Sequence, residues 1–299
     1  MLQNDCAALA TAACEILCPE DRAWLSPHLA AFLEYSNSYV EQYPADSAHH
    51  RLKQEHTLHV LGVAAHIAMS EEALAAPPVR RAVLLAALFH DVGRFEQFRQ
   101  YHTFADALSV NHGTLGLSVL LKKGFLAEVP RPIRACVHCG VGAHNAFRIP
   151  PSVRGAKRDV VQAVRDADKV DILRVMGEHL GPGGTPDSAV VMHLVDAPEQ
   201  VTPGILAALG ERRIPSYKDM RFFNDFRIVI CSWVIDLHFP CARALVKRTG
   251  GFDPFVEGLG GAPEACQMVR EFLQTELEYF HFENALTDDG ASLVRANEE

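Results

Sequence analysis

Several ingredients are scarce or missing in this sequence, and each absence removes a class of function. No Lys/Arg-rich block occurs, and the formal net charge is −9 over 299 residues. An extended duplex-binding face is therefore not expected, and a small local basic pocket is the most that remains. No basic N-terminal segment leads into an apolar core and a cleavage site, so no secretory signal is expected. The apolar stretch 83–89 is far too short to span a bilayer, which argues against membrane insertion. The eight cysteines (Cys6, Cys14, Cys18, Cys136, Cys139, Cys231, Cys241 and Cys266) lack the spacing of a disulfide framework, and a reduced, cytoplasmic setting is expected. β-Branched alternation is sparse, and neither an internal repeat nor a low-complexity tract is present.

What is present fits a soluble, mostly helical globular protein: 48% hydrophobic and 22% charged residues, with Ala, Leu, Glu, Arg and Gln prominent. The patterning predicts helices over 5–17, 23–43, about 53–70, 78–91, 105–122, 131–139, 157–176, 203–212, 217–248 and 262–283. Pro77-Pro78 opens the fourth of these and Gly93 is read as its stop, while the glycines at 140 and 142 are read as breaking the sixth. An aromatic stripe of Phe32, Tyr35 and Tyr39 reads as core packing. The segment "GPGGTPDS" (181–188) is a candidate boundary or lid. The expected layout is an all-α bundle: N-terminal helices over 1–48, a core over 49–180, a loop and helical C-terminal part over 181–286, and a frayed tail over 287–299. The part after residue 203 is expected to close over the site or to mediate self-association.

Fifteen histidines are the compositional oddity, and many fall between residues 49 and 144. The stretch "LLAALFHDVGRFEQF" (84–98) ends an apolar helix in His90-Asp91, two ionisable groups that are costly to bury unless something pairs with them. A metal ion is one such partner. Further donors in chain order are His56, His112, His138 and Asp168, each on a predicted helix whose other residues on that face are apolar, so that a bundle can bring them to one point. Adjacent residues point about 100° apart around a helix axis. Asp91 can then reach a second ion while His90 serves the first. Imidazoles supply neutral nitrogen donors, and carboxylates neutralise dications and can bridge two of them. Taken singly, each histidine reads more simply as a surface or hydrogen-bonded residue.

The segments "EHTLHVLGVAAHIA", "LLAALFHDVGRFEQF", "NHGTLGLSVL", "CVHC" and "VRDADKVDIL", spanning about residues 50–178, together resemble the HD superfamily of metal-dependent phosphohydrolases. The resemblance implies a helical core with His56, His90, Asp91 and Asp168 as ligands. It also implies that His112 and His138 are the additional histidines of the subgroups that hold two metals. His59, His66, His102 and His144 compete for these roles, and His59 is the main rival of His56. Cys136-Val-His-Cys139 looks like half a zinc site, but no second Cys pair lies at suitable spacing.

From the resemblance follows an expected reaction: hydrolysis of a phosphomonoester or phosphodiester in a small, nucleotide-like molecule by a metal-activated hydroxide, with two divalent ions drawn from Fe, Mn, Ni, Zn or Mg. Asp91 and Arg94 would be the catalytic residues, and Arg94 and Lys169 the substrate contacts. Asp171 would steady a ligand histidine from behind. Arg99, His102 and Lys218 are looser candidates. The Gly-Tyr-Pro element of the cyclic di-nucleotide phosphodiesterases is missing, which disfavours that substrate. Two other readings stay open: a di-iron oxygenase similar to myo-inositol oxygenase, and a non-catalytic HD ligand sensor. The expected partner is a small phosphorylated molecule, with self-association left open.

Overall fold

A computed structural model describes residues 2–184 and 194–278. Part of the 181–188 loop, the end of the helix expected over 262–283 and the tail expected over 287–299 lie outside the described residues. Among the described residues the fold is all-α, with one isolated bridge between Val195 and Phe222 in place of any sheet. Backbone contacts divide it into two compact units, one running to Asp168 and the other starting at Lys169. The division falls inside a helix rather than at the Gly-Pro loop after Leu180.

The first unit contains α1 (Leu2–Cys14), α2 (Pro19–Gln42), α3 (Ser47–Ser70), α4 (Pro77–Phe89), α5 (Val92–Tyr101), α6 (His112–Lys123), α7 (Arg131–Ala143) and the first half of α8 (Ala156–Leu180). At its centre lies α4. Its N-terminal prolines sit where a missing N–H costs nothing, and every residue from Ala82 to Phe89 is fully buried. α3 and α7 pack along it. The aromatic stripe of α2 is core: Phe32 packs edge-on against Phe89 and Phe95, with ring centroids 6.4 and 6.1 Å apart. Tyr35 donates from its hydroxyl to Val92 O at 3.3 Å.

Two glycines correct the expected helix limits. Gly93 does not stop a helix. It lies in the first turn of α5, where α6 crosses so closely that an added Cβ would stand 2.6 Å from Gly116 N. Gly140 likewise does not break α7. A Cβ there would stand 2.6 Å from the Ala86 Cβ, so the missing side chain lets α7 lie against α4 while its ladder continues to Ala143. At both sites glycine serves interhelical approach rather than chain reversal. The helix expected from 105 instead begins at His112, because Asn111 caps it by accepting from Thr114 N at 2.9 Å.

The second unit holds α9 (Pro203–Gly210), α10 (Phe223–Ser232), α11 (Pro240–Thr249), α12 (Asp253–Glu257) and α13 (Pro263–Glu278). The single helix expected over 217–248 is divided here, since Phe239 is held extended ahead of Pro240. The buried Asp225 carboxylate organises this unit by accepting from Thr202 N and Oγ1, Arg221 N and Phe222 N at 2.7–3.1 Å. Around it lies a core of Ile228, Val229, Val234, Phe255 and Val269.

The α4–α7 approach predicts that Gly140→Ala will destabilise the protein by about 1–3 kcal/mol, the usual range for overpacking a tight contact. The measurement is the urea midpoint. Ala86→Gly in the same chain should recover part of the loss, because it removes the atom that the new methyl group meets.

Candidate metal centre

Six donors from separate helices meet in the first unit. His56 lies in the middle of α3, and His90-Asp91 occupies the break between α4 and α5. His112 is the first residue of α6, His144 follows α7 directly, and Asp168 lies on α8. Their donor atoms form two groups, His56–His90–Asp168 and Asp91–His112–His144, and within each group the atoms lie within 4.8 Å of one another. All but Asp168 are buried, and the side chain of Asp168 is 19% exposed.

Asp91 stands between the two groups. Its Oδ2 lies 3.8 Å from His56 Nε2 and 3.7 Å from His90 Nε2, and its Oδ1 lies 3.3 Å from His112 Nε2 and 3.8 Å from His144 Nε2. One carboxylate thus offers an oxygen to each group. On the far side of the first group, Asp168 Oδ1 is 3.1 Å from His56 Nε2 and 3.7 Å from His90 Nε2.

The imidazoles are held from behind. His90 Nδ1 donates to Ala87 O at 2.7 Å and His144 Nδ1 to Val141 O at 2.9 Å, each bonding back to the carbonyl three residues earlier. His112 Nδ1 donates to both oxygens of Asp106, at 2.9 and 2.8 Å. A carbonyl or carboxylate can only accept, so the proton sits on Nδ1 and the Nε2 lone pair points inward. Burial, with the nearby Arg94 charge in the second case, pulls His90 and His112 down to about 4, which keeps both neutral at physiological pH.

This arrangement fits a metal ion on its own terms. In the second group the His112 and His144 Nε2 lone pairs face each other at 3.0 Å, with Asp91 Oδ1 beside them. Three acceptors converge with no proton among them, an unfavourable contact unless a cation lies between. Two nitrogens each about 2.1 Å from one ion stand about 3.0 Å apart at a right angle and about 3.4 Å apart at a tetrahedral angle. The observed Nε2–Nε2 separations are 3.0 Å for His112 and His144 and 3.4 Å for His56 and His90.

With this geometry in place, the comparisons with known proteins are informative. Residues 54–197 match the family model described as HD domain. This stretch is similar to an HD domain. Searches of curated proteins and of solved structures found no match. HD domains point in general terms to metal-dependent hydrolysis, and the match takes in all six gathered donors.

One expected ligand is corrected. His138 is exposed on α7 and belongs to neither group, and His144 stands in its place. The cause is the misread helix limit. With α7 taken to end near residue 139, His138 is its last histidine, but the helix runs on to Ala143 and delivers His144. The signal was present in the sequence, since His144 directly follows a helix end just as His90 does. Of the other rivals, His59 and His66 lie outside both groups, and His102 is an exposed partner of Asp46 at 3.4 Å.

Arg94 lies beside the centre, with Nε 3.3 Å from Asp91 Oδ1, and its Nη1 donates to Gln97, Phe104 O and Asp106. Lys169 instead pairs with Asp236 at 2.9 Å, and Asp171 with Arg174 at 2.8 Å. Neither is held in reserve for the role expected of it. Three residues escaped the sequence reading. Lys53 Nζ is 2.8 Å from Asp91 Oδ2. Arg165 on α8 donates through Nη1 to His144 O and Ala146 O, fixing the backbone that carries the last histidine. Asp106 braces His112. Burial works to raise the pKa of Asp91, but Lys53, His90 and Arg94 outweigh it and keep the carboxyl ionised.

Two measurements follow. His144→Ala should remove one bound ion and leave the other, whereas His138→Ala should leave both, as counted by elemental analysis after dialysis. The metal-free protein should also lose stability as pH falls from about 6.5, the ordinary histidine value, toward the folded-state values of about 4 at His90 and His112. In that window the unfolded chain binds protons that these buried rings refuse. Melting temperature against pH, with and without His90→Gln, reads this out.

Proposed function

We propose that the HD domain hydrolyses a phosphomonoester or phosphodiester bond of a small, nucleotide-like molecule, and that two divalent ions occupy the two donor groups. The observation that carries this reading is the shared carboxylate, with Asp91 offering one oxygen to His56 and His90 and the other to His112 and His144. Adjacent dications that share a ligand, when bound, supply a water acidic enough to ionise near neutral pH and positive charge for the phosphate oxygens.

The chain's own residues support the remaining needs of such a reaction. His90 and His112 stay neutral and cannot compete as cations with the ions. Arg94 and Lys53 bring two positive charges against Asp91, and both sit over the Phe104 ring, at 5.8 and 5.3 Å from its centroid. They are 15% and 17% exposed at the side chain, so a phosphate arriving at the centre meets both. Arg94 thus keeps its expected part as a substrate contact, and Lys53 takes the part expected of Lys169. A guanidinium fixed by four acceptors presents its charge without losing freedom on binding.

A four-histidine, two-aspartate donor set suits iron as well as manganese, and the deciding experiment separates the two chemistries. Chain loaded anaerobically with Mn²⁺ should release phosphate from nucleotides or cleave bis-p-nitrophenyl phosphate, and Asp91→Asn should lose that turnover with its metal. O₂ consumption together with a mixed-valence EPR signal after aerobic purification, and no ester turnover, would transfer the assignment to a di-iron oxygenase. Tight metal binding with neither activity would leave a ligand sensor.

A further inference from the structure

We propose that Asp106 is a positioning residue that secures one metal position only, the one built from Asp91, His112 and His144. This rests on reading the two donor groups as metal sites. Asp106 lies in a short 3₁₀ turn (Asp106–Leu108) ahead of α6, outside every motif of the HD resemblance. Its carboxylate nevertheless collects more donors than any surface turn requires. His112 Nδ1 donates to both oxygens. Gln97 Nε2 and Arg94 Nη1 donate to Oδ1 at 2.9 and 3.1 Å. Asn145 Nδ2 donates to Oδ2 at 3.1 Å, and the His112 backbone N–H approaches it at 3.4 Å.

The two groups are braced differently, and this asymmetry gives the inference its content. His90 and His144 are tied to main-chain carbonyls of their own helices, contacts that no single substitution removes. His112 begins a helix and has no preceding turn to bond to, so its ring is set by a side chain. A carboxylate behind a ligand imidazole fixes the tautomer, orients the ring and makes the inward nitrogen a stronger donor. The donors that Asp106 gathers come from α5 (Arg94, Gln97) and from the residue after His144 (Asn145). The same carboxylate therefore ties the His112 ring to Arg94 and to the segment carrying His144. These bonds run to the His112 side of the centre rather than to His90 and Asp168.

The test is metal stoichiometry and affinity by equilibrium dialysis against Mn²⁺ with elemental analysis, needing no turnover. Wild-type chain should hold two ions. Asp106→Asn should weaken one of them by about 10–100-fold, the usual effect of losing such a partner, and leave the other within twofold. Asn can present its amide N–H to the ring and favour the tautomer with the proton on Nε2. Asp106→Glu keeps the charge and should give a smaller loss at the same ion. It serves as the second variant if the first does not fold. In a His112→Ala background, Asp106→Asn should add no further loss, because its action runs through His112. Equal weakening of both ions, no weakening of either, or an additive loss in the double variant would overturn the proposal. Fewer than two ions in the wild type would instead overturn the dinuclear reading on which it stands.

Discussion

The arrangement depends on one buried carboxylate. Asp91 is 3% exposed and stays ionised, a condition that an apolar interior tolerates only with compensation on every side. Lys53 and Arg94 supply that compensation, while the four imidazoles stand around the carboxylate as donors for a cation. Each helix that borders Asp91 contributes something it requires: α3 gives Lys53 and His56, α4 ends in His90, α5 carries Arg94, α6 opens with His112 and α7 hands over to His144. The bundle's crossings are set close enough for these contacts by residues without side chains at Gly93 and Gly140. Packing and chemistry are the same constraint here.

The local stretches of this design were legible in the sequence. The apolar run of α4 closing in His-Asp, the "NHGTLGLSVL" segment and the late "DADKVD" on α8 carry short-range signals, and His56, His90, Asp91, His112 and Asp168 are brought together. Illegible were the contacts that only tertiary structure creates. Glycine is ambiguous between a break and a close approach. At Gly93 and Gly140 the second meaning held, hiding α5 and shortening α7. The exchange of His138 for His144 followed from that single ambiguity. Lys53 and Arg165 are distant in sequence from what they hold, by 38 residues for Lys53–Asp91 and 21 for Arg165–His144, and Asp106, though near His112 in the chain, lies in a turn outside any helical pattern; no periodicity encodes such pairings.

The charged residues near the centre divide by what already satisfies them. Lys169 is engaged by Asp236 and Asp171 by Arg174, so proximity in sequence to Asp168 does not by itself aim them at the centre. Arg94 is different, because its partners include Asp91 itself. Its charge stays at the centre although its hydrogen bonds are used. Adjacency along a helix is thus a weaker guide to a site than the identity of a side chain's partner.

The Lys53 ammonium against Asp91 has a consequence for how the protein is assembled. A buried acid left alone would tie completion of the fold to capture of a cation, as happens in small domains that collapse only around their ion. Here the chain carries its own countercharge to the spot, so compaction around this carboxylate would not have to wait for a cation.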